Sequence, residues 1–296
     1  YEYIQSAIGK DFNNSEILSL GFWPGGDRDG NPFVTPEITK KVANRLKQTI
    51  LKNYYRDVRR IKRKLTFNGL EDRIGELERK LYNSFIDEDD TPEISLHDFE
   101  TELKAIRTLV TNEHQSLYLT EINSLLNKIK LFGYHFAILD IRQDSRVHEG
   151  VFNSLTEGLI KDKSGIFPQD YFELSAEKQV QILSEVKGTI DETLYKDEEL
   201  LKTLETIKTV KQIQETNGER AVHRYIISNT QSTLHVMQLF AMLKLAAFGD
   251  DLTLDIGPLF ETVPDLEIAH EVMEELYTNP AYAEHLKKRQ NKQLIM

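Results

Sequence analysis

Three short β-like runs, each ending in polar residues and each followed by a helical pattern, constrain this fold more than any other feature. Residues 136–141 lead into Arg142 and Gln143, residues 225–227 into Ser228 and Asn229, and residues 252–256 through Gly257 and Pro258 to Leu259, Phe260 and Glu261. Strand followed by helix, repeated, predicts parallel strands, because a parallel neighbour can be reached only by a long crossover. In closed or open α/β sheets ligands gather at the carboxyl ends of the strands, and the polar residues fall there. Residues 293–296 read as one more strand.

Helix dominates elsewhere. Thr35 can cap a helix with Pro36 at its tolerant first position, and apolar residues follow at Val42, Leu46, Ile50, Tyr54, Val58, Ile61 and Leu65, every step three or four. Lys47, Lys52, Arg56, Arg59, Arg60, Lys62, Arg63 and Lys64 read as a solvated face in preference to a nucleic-acid or anion patch. Asn68 and Gly69 break the helix, a second runs through Ile74, Leu77 and Leu81, and the acidic stretch 87–92 reads as a solvated turn. Further helices are predicted at 98–112, 117–130, 146–160, 176–187, 197–216, 231–248 and 265–289, with Gly133, Gly188, Gly218 and Gly249 as stops. No repeat or composition break marks a boundary, so residues 1–296 are expected to form a single structural unit containing a helical layer over 36–130. The fold class expected is mainly α-helical α/β.

Residues 21–32, G-F-W-P-G-G-D-R-D-G-N-P, place four glycines, two prolines, two aspartates and an arginine around the only tryptophan. The run is expected to be a rigid, irregular loop that displays polar groups, whether as a plain connector or as a ligand surface. Asp27, Asp29 and Asn31 fit the start of a calcium loop, but Pro32 stands where that loop needs glycine and Ile38 where it needs a bidentate glutamate. Calcium is rejected here.

The charge of -11, from 48 acidic and 37 basic residues, argues against a general nucleic-acid binder. An anionic substrate would need a local positive site. With no cysteine, disulfides and thiolate metal sites are excluded, which fits a reducing compartment. No stretch approaches the roughly 20 apolar residues of a membrane helix, so no membrane partner is expected. His135, His148, His223 and His235 are scattered and read as structural or solvated, and neither a Walker loop nor a G-x-S-x-G elbow occurs. The first residue is tyrosine, which suggests an excised piece of a longer protein.

The loop at 21–32, L-D-I-R-Q-D at 139–144, Y-I-I-S at 225–228 and G-P-L-F-E-T at 257–262, in this order, closely resemble phosphoenolpyruvate carboxylase. The resemblance implies a helix-rich elaboration of a TIM-like β/α barrel, here in part, with long added helices. It implies addition of bicarbonate to phosphoenolpyruvate to give oxaloacetate and phosphate, with Mg2+ or Mn2+. A cytoplasmic homotetramer is implied for the full-length enzyme.

By the same resemblance Arg142 holds the substrate phosphate, Glu261 is a metal carboxylate, and Trp23 and Leu259 are apolar residues around the substrate methylene. Asp27, Arg28, Asp29, Asn31, Gln143 and Ser228 are expected to organise the site from behind, and the loop at 21–32 to help close it against water. Arginine suits the first role because its planar fork matches phosphate oxygens. The sequence departs from the family pattern at Asp144, where glutamate is usual, and at Phe22 and Pro24, where serine and methionine are common. The family's T-A-H-P-T, G-[YF]-S-D and H-G-R-G motifs do not occur in it. An internal fragment, inactive alone, is therefore expected; the alternative is a non-catalytic helical interaction module derived from the same family.

Overall fold

In a computed structural model of the chain, residues 7, 18–31, 33–86 and 91–296 are described; Pro32 of the loop and residues 87–90 of the expected acidic turn lie outside them. Contacts gather the chain into two compact units, one built mainly from Val42–Ile138 with Thr216–Ala221, the other from Phe22–Lys41, Leu139–Glu215 and Val222–Met296.

The first unit is helical. It contains most of α1 (Pro36–Lys62), then α2 (Glu71–Ile86), α3 (Leu96–Glu113) and α4 (Leu119–Phe132). Gly69, at φ +82, makes the predicted break between α1 and α2, a left-handed position that suits glycine. The core joins Leu51, Tyr54 and Val58 of α1 to Ile74 and Leu81 of α2, Phe99 and Ile106 of α3, and Leu125 and Ile129 of α4. Tyr54 is fully buried, and its hydroxyl donates to the Gly133 carbonyl at 2.8 Å, which satisfies the one polar atom the ring carries inward.

The basic face of α1 is only in part the solvated one expected. Arg60 and Lys128 pair with Asp57, and Lys62 pairs with Glu78 of α2. Lys47 is buried, at 4% exposure. It lies four residues from both Ala43 and Leu51, two buried positions, so helical geometry carries it onto the inward stripe.

The second unit holds the sheet, all but the first residues of two strands, Gly21 and Ile138. β1 (Gly21–Phe22), β2 (Ile138–Asp144), β3 (Arg224–Ser228) and β4 (Asp255–Pro258) stand in the order β1-β2-β3-β4. β2 pairs in parallel with β3, and β3 with β4, with Arg142 opposite Ile226 and Ile226 opposite Gly257. As expected of crossovers, β2 leads into α5 (Ser145–Lys161), β3 into α8 (Thr233–Leu243) and β4 into α9 (Val263–Thr278). Between α5 and β3 run α6 (Ala176–Glu185) and α7 (Glu198–Asn217). Every residue of α8 from Val236 to Leu243 is buried, so the helix is inside on all faces and packs against α5, α6 and β4.

Further details differ from the sequence reading. β2 extends three residues past Ile141 and takes in Arg142, Gln143 and Asp144, all buried. Residues 21–32 are not wholly irregular, since β1 opens the run and Asp27 forms a parallel bridge with Arg142. The helix expected over 265–289 is two, α9 and α10 (Pro280–Lys288). Asn279 between them is extended, as a residue before proline prefers, and its side chain accepts from the Ala281 and Tyr282 amides. Residues 293–296 form no assigned strand, although the Met296 amide donates to Pro258 O and the Phe260 amide to Met296 O, both at 3.0 Å.

Candidate functional site

Alternation along β2 puts Asp140, Arg142 and Asp144 on one face of the strand. The run after β1 lies against that strand through its backbone. The Arg142 amide donates to Gly26 O at 3.0 Å and the Arg28 amide to Arg142 O at 2.9 Å. Gly26 is required there, because a Cβ would sit 2.1 Å from Asp140 O.

This lacing surrounds the Arg142 side chain. Its guanidinium carbon lies 4.3 Å from the centre of the Trp23 ring. Its Nε is 3.6 Å from Asp27 Oδ1, and one Nη is 3.5 Å from Asp29 Oδ2. These are ion-pair distances too long for good hydrogen bonds. Accordingly, Arg142 Nε and Asp27 Oδ1 are both buried without a hydrogen-bond partner in the protein. A buried arginine flanked by carboxylates but not hydrogen-bonded to them keeps donors for an incoming anion.

Trp23 is 43% exposed, one face over Arg142 and its Nε1 donating to Asp140 Oδ2 at 3.1 Å. Asp140 is buried and also faces Arg224, its register partner on β3, at 3.8 Å. Burial raises the Asp140 pKa, with Arg224, Trp23 and Arg142 opposing that rise.

The other loop residues divide by role. Arg28 is buried and reaches α7, donating to Thr206 Oγ1 at 3.0 Å and to Glu199 at 3.3 Å. Asn31 is an exposed turn residue whose side chain accepts from the Phe33 amide. Gln143 is buried and accepts from the Asp144 amide next to it. Asp144 caps α5, accepting from the Arg146 amide at 2.8 Å and from the Arg146 guanidinium, and receives Asn229 Nδ2 at 2.8 Å. The Arg146 contacts bring the Asp144 pKa down to about 2. The departure from glutamate at this position thus coincides with a helix cap, a place where the shorter carboxylate is favoured.

Ser228, opposite Asp144 in the register, is buried with an unpartnered hydroxyl. The Leu259 amide donates to Ile227 O, which continues the β3–β4 pairing one residue on. At about 4.8 Å per strand, Asp144, Ser228 and Leu259 form a row about 10 Å wide at the carboxyl ends. Glu261 follows two residues later and is exposed. Among the described residues no group of three or more His, Asp or Glu side chains is arranged to hold a metal ion. Glu261 therefore offers a single carboxylate, not a ligand set.

Asp140, Arg224 and His148 were not singled out for this site by the sequence. Asp140 carried a signal, an acidic residue two positions before an arginine in a strand, and so on the same face. His148 is fully buried, 5.4 Å ring to ring from Tyr225, with neither nitrogen hydrogen-bonded.

A small parallel sheet with strands in chain order, helices between them and a buried arginine near one strand's carboxyl end defines the class as α/β. The chain belongs to the phosphoenolpyruvate carboxylase family, whose sequence profile, described as "Phosphoenolpyruvate carboxylase", matches residues 2–95 and 78–296. It is 30% identical to the phosphoenolpyruvate carboxylase of Nitrosomonas europaea across 95% of this chain and 35% of that protein. It is 29% identical to that of Nitrosomonas eutropha over the same shares. The chain thus spans about a third of the length of these curated relatives. None of its described helices is long and apolar enough to cross a membrane.

Proposed function

We propose that this chain is the part of a phosphoenolpyruvate carboxylase that grips the phosphate of phosphoenolpyruvate, in a protein that carboxylates it with bicarbonate to oxaloacetate. The observation that carries the reading is Arg142, buried under Trp23 with an unpartnered Nε beside Asp27. Phosphate oxygens would complete the donors that the two aspartates leave unsatisfied, and a water-poor setting strengthens that contact. Leu259, on the row with Asp144 and Ser228, would supply apolar surface to the rest of the substrate.

The unbroken strand order supports a segment of a β/α barrel, since a doubly wound sheet would reverse direction at a switch point. Glu261 is proposed as one share of a divalent-metal site whose other ligands lie outside the described residues. The 296-residue chain by itself is proposed to be inactive, because the family's histidine motif is not in its sequence.

The test uses the full-length protein that carries this chain, with oxaloacetate formation followed from phosphoenolpyruvate and bicarbonate. Arg142→Ala and Glu261→Ala should each lower kcat/KM by roughly 100-fold or more, the scale of removing one charge-stabilising group. Unimpaired turnover in both variants would reject the assignment.

A further inference from the structure

We infer that Asp140 is a positioning residue, whose carboxylate holds the Trp23 indole in place over Arg142. The inference rests on the reading that Arg142 takes the substrate's phosphate. Trp23 is 43% exposed, so packing alone leaves its ring free to leave the guanidinium for other rotamers. What ties it down is the 3.1 Å bond from Nε1 to Asp140 Oδ2. Asp140 is itself a firm anchor: it is buried, lies in the middle of the paired β2 strand, and has Arg224 3.8 Å from its other oxygen.

Strand geometry makes the arrangement specific. Asp140 and Arg142 share one face of β2, spaced so that one indole can bond the first and cover the second. A cation beneath an aromatic face gains attraction that grows as water is excluded. The tether therefore fixes both the roof over Arg142 and the direction left open to an anion. Nothing else in the described loop bonds the indole nitrogen.

The experiment uses the full-length protein labelled with 15N-tryptophan, the Trp23 indole signal being assigned by its loss in Trp23→Phe. Asp140→Ala should move that signal upfield, while Asp140→Asn, which keeps an acceptor oxygen, should leave it close to wild type. An unmoved signal in Asp140→Ala overturns the inference. In steady-state kinetics Asp140→Ala and Trp23→Phe should each raise KM for phosphoenolpyruvate about tenfold, as the loss of one charge-assisted hydrogen bond does, with kcat within about twofold. The double variant should be no worse than either single one; additive losses overturn the inference.

Arg224→Gln separates the tether from the Asp140–Arg224 pair. It should leave the indole signal in place, and a shift matching that of Asp140→Ala would overturn the proposal. If Asp140→Ala does not fold, Trp23→Phe decides, since it leaves the carboxylate intact; an unchanged KM overturns the inference. Failure of the phosphate reading looks different: Arg142→Ala would then leave KM unchanged while the indole signal still responds to Asp140.

Discussion

Arg142 lies over the Trp23 ring, guanidinium carbon to ring centre at 4.3 Å, with the arginine buried and the tryptophan 43% exposed. The pairing suits a planar cation and not a point charge, because a guanidinium can lie flat against the ring while its edge donates elsewhere.

Arg142→Lys should therefore behave as a damaging change even though the charge is kept. An ammonium cannot stack in this way or present two parallel donors to phosphate. The expected result is a fall of about tenfold or more in kcat/KM for phosphoenolpyruvate, smaller than for Arg142→Ala. Steady-state oxaloacetate formation measures it, and activity equal to wild type would show that the fork geometry is not used.

Gly26→Ala should destabilise the fold around β2. The added methyl would sit 2.1 Å from the Asp140 carbonyl oxygen, a backbone atom that cannot swing aside. Overpacking of this kind costs roughly 1–3 kcal/mol, and here it would also part the run from the strand that carries Arg142. Thermal denaturation should show a lower midpoint, whereas Gly30→Ala meets no atom within 4 Å and suffers only from its φ of +67.

Asp144→Ala should cost about 1 kcal/mol by removing the cap of α5. The pH dependence follows from the depressed pKa of about 2 that the Arg146 contacts produce. Stability from this group is present above the ordinary aspartate pKa of about 3.9 and is lost as pH falls toward about 2. Denaturant titrations at pH 7 and pH 3 should show a smaller acid loss in Asp144→Ala than in the wild type. Equal losses would show that the carboxylate is not specially held.

His148 makes an acid-sensitive element inside the fold. Burial is the main cause that lowers its pKa to about 3; Arg28 and His235 push in the same direction and Asp144 opposes them. The folded state keeps this imidazole neutral, while the unfolded chain protonates it below about 6.5. Its contribution is thus complete above that value and declines as pH falls toward 3. His148→Phe should flatten the stability profile between pH 6.5 and 4, measured by urea denaturation. A profile with the wild-type slope would count against the buried, neutral histidine.

The elements most visible in the sequence were those with a clear period. The stripe from Ile50 to Leu65 and the glycine at 69 foretell α1 and its end, because burial on one face repeats every three or four residues. Lys47 was misplaced because residue type was read before geometry. Arg142, Gln143 and Asp144 looked like the residues after a strand, since polar side chains resemble loop; only pairing with β3 shows that the strand continues beneath them. The break at Asn279 was hidden by an apolar pattern that runs through it, although Pro280 marked the place. Arg142 and Trp23 could be named from the motifs, but Asp140 could not, because its part depends on a contact 117 residues away along the chain.

The backbone seam between Gly26, Arg28 and Arg142 also bears on how the loop is held. With Thr39 Oγ1 holding the Gly25 carbonyl at 2.6 Å as well, this stretch belongs to the sheet's own lattice and would have to unzip to swing outward. On the proposed reading, the anion would meet side chains whose backbone is already laced to β2, their placement set by the strand before anything binds.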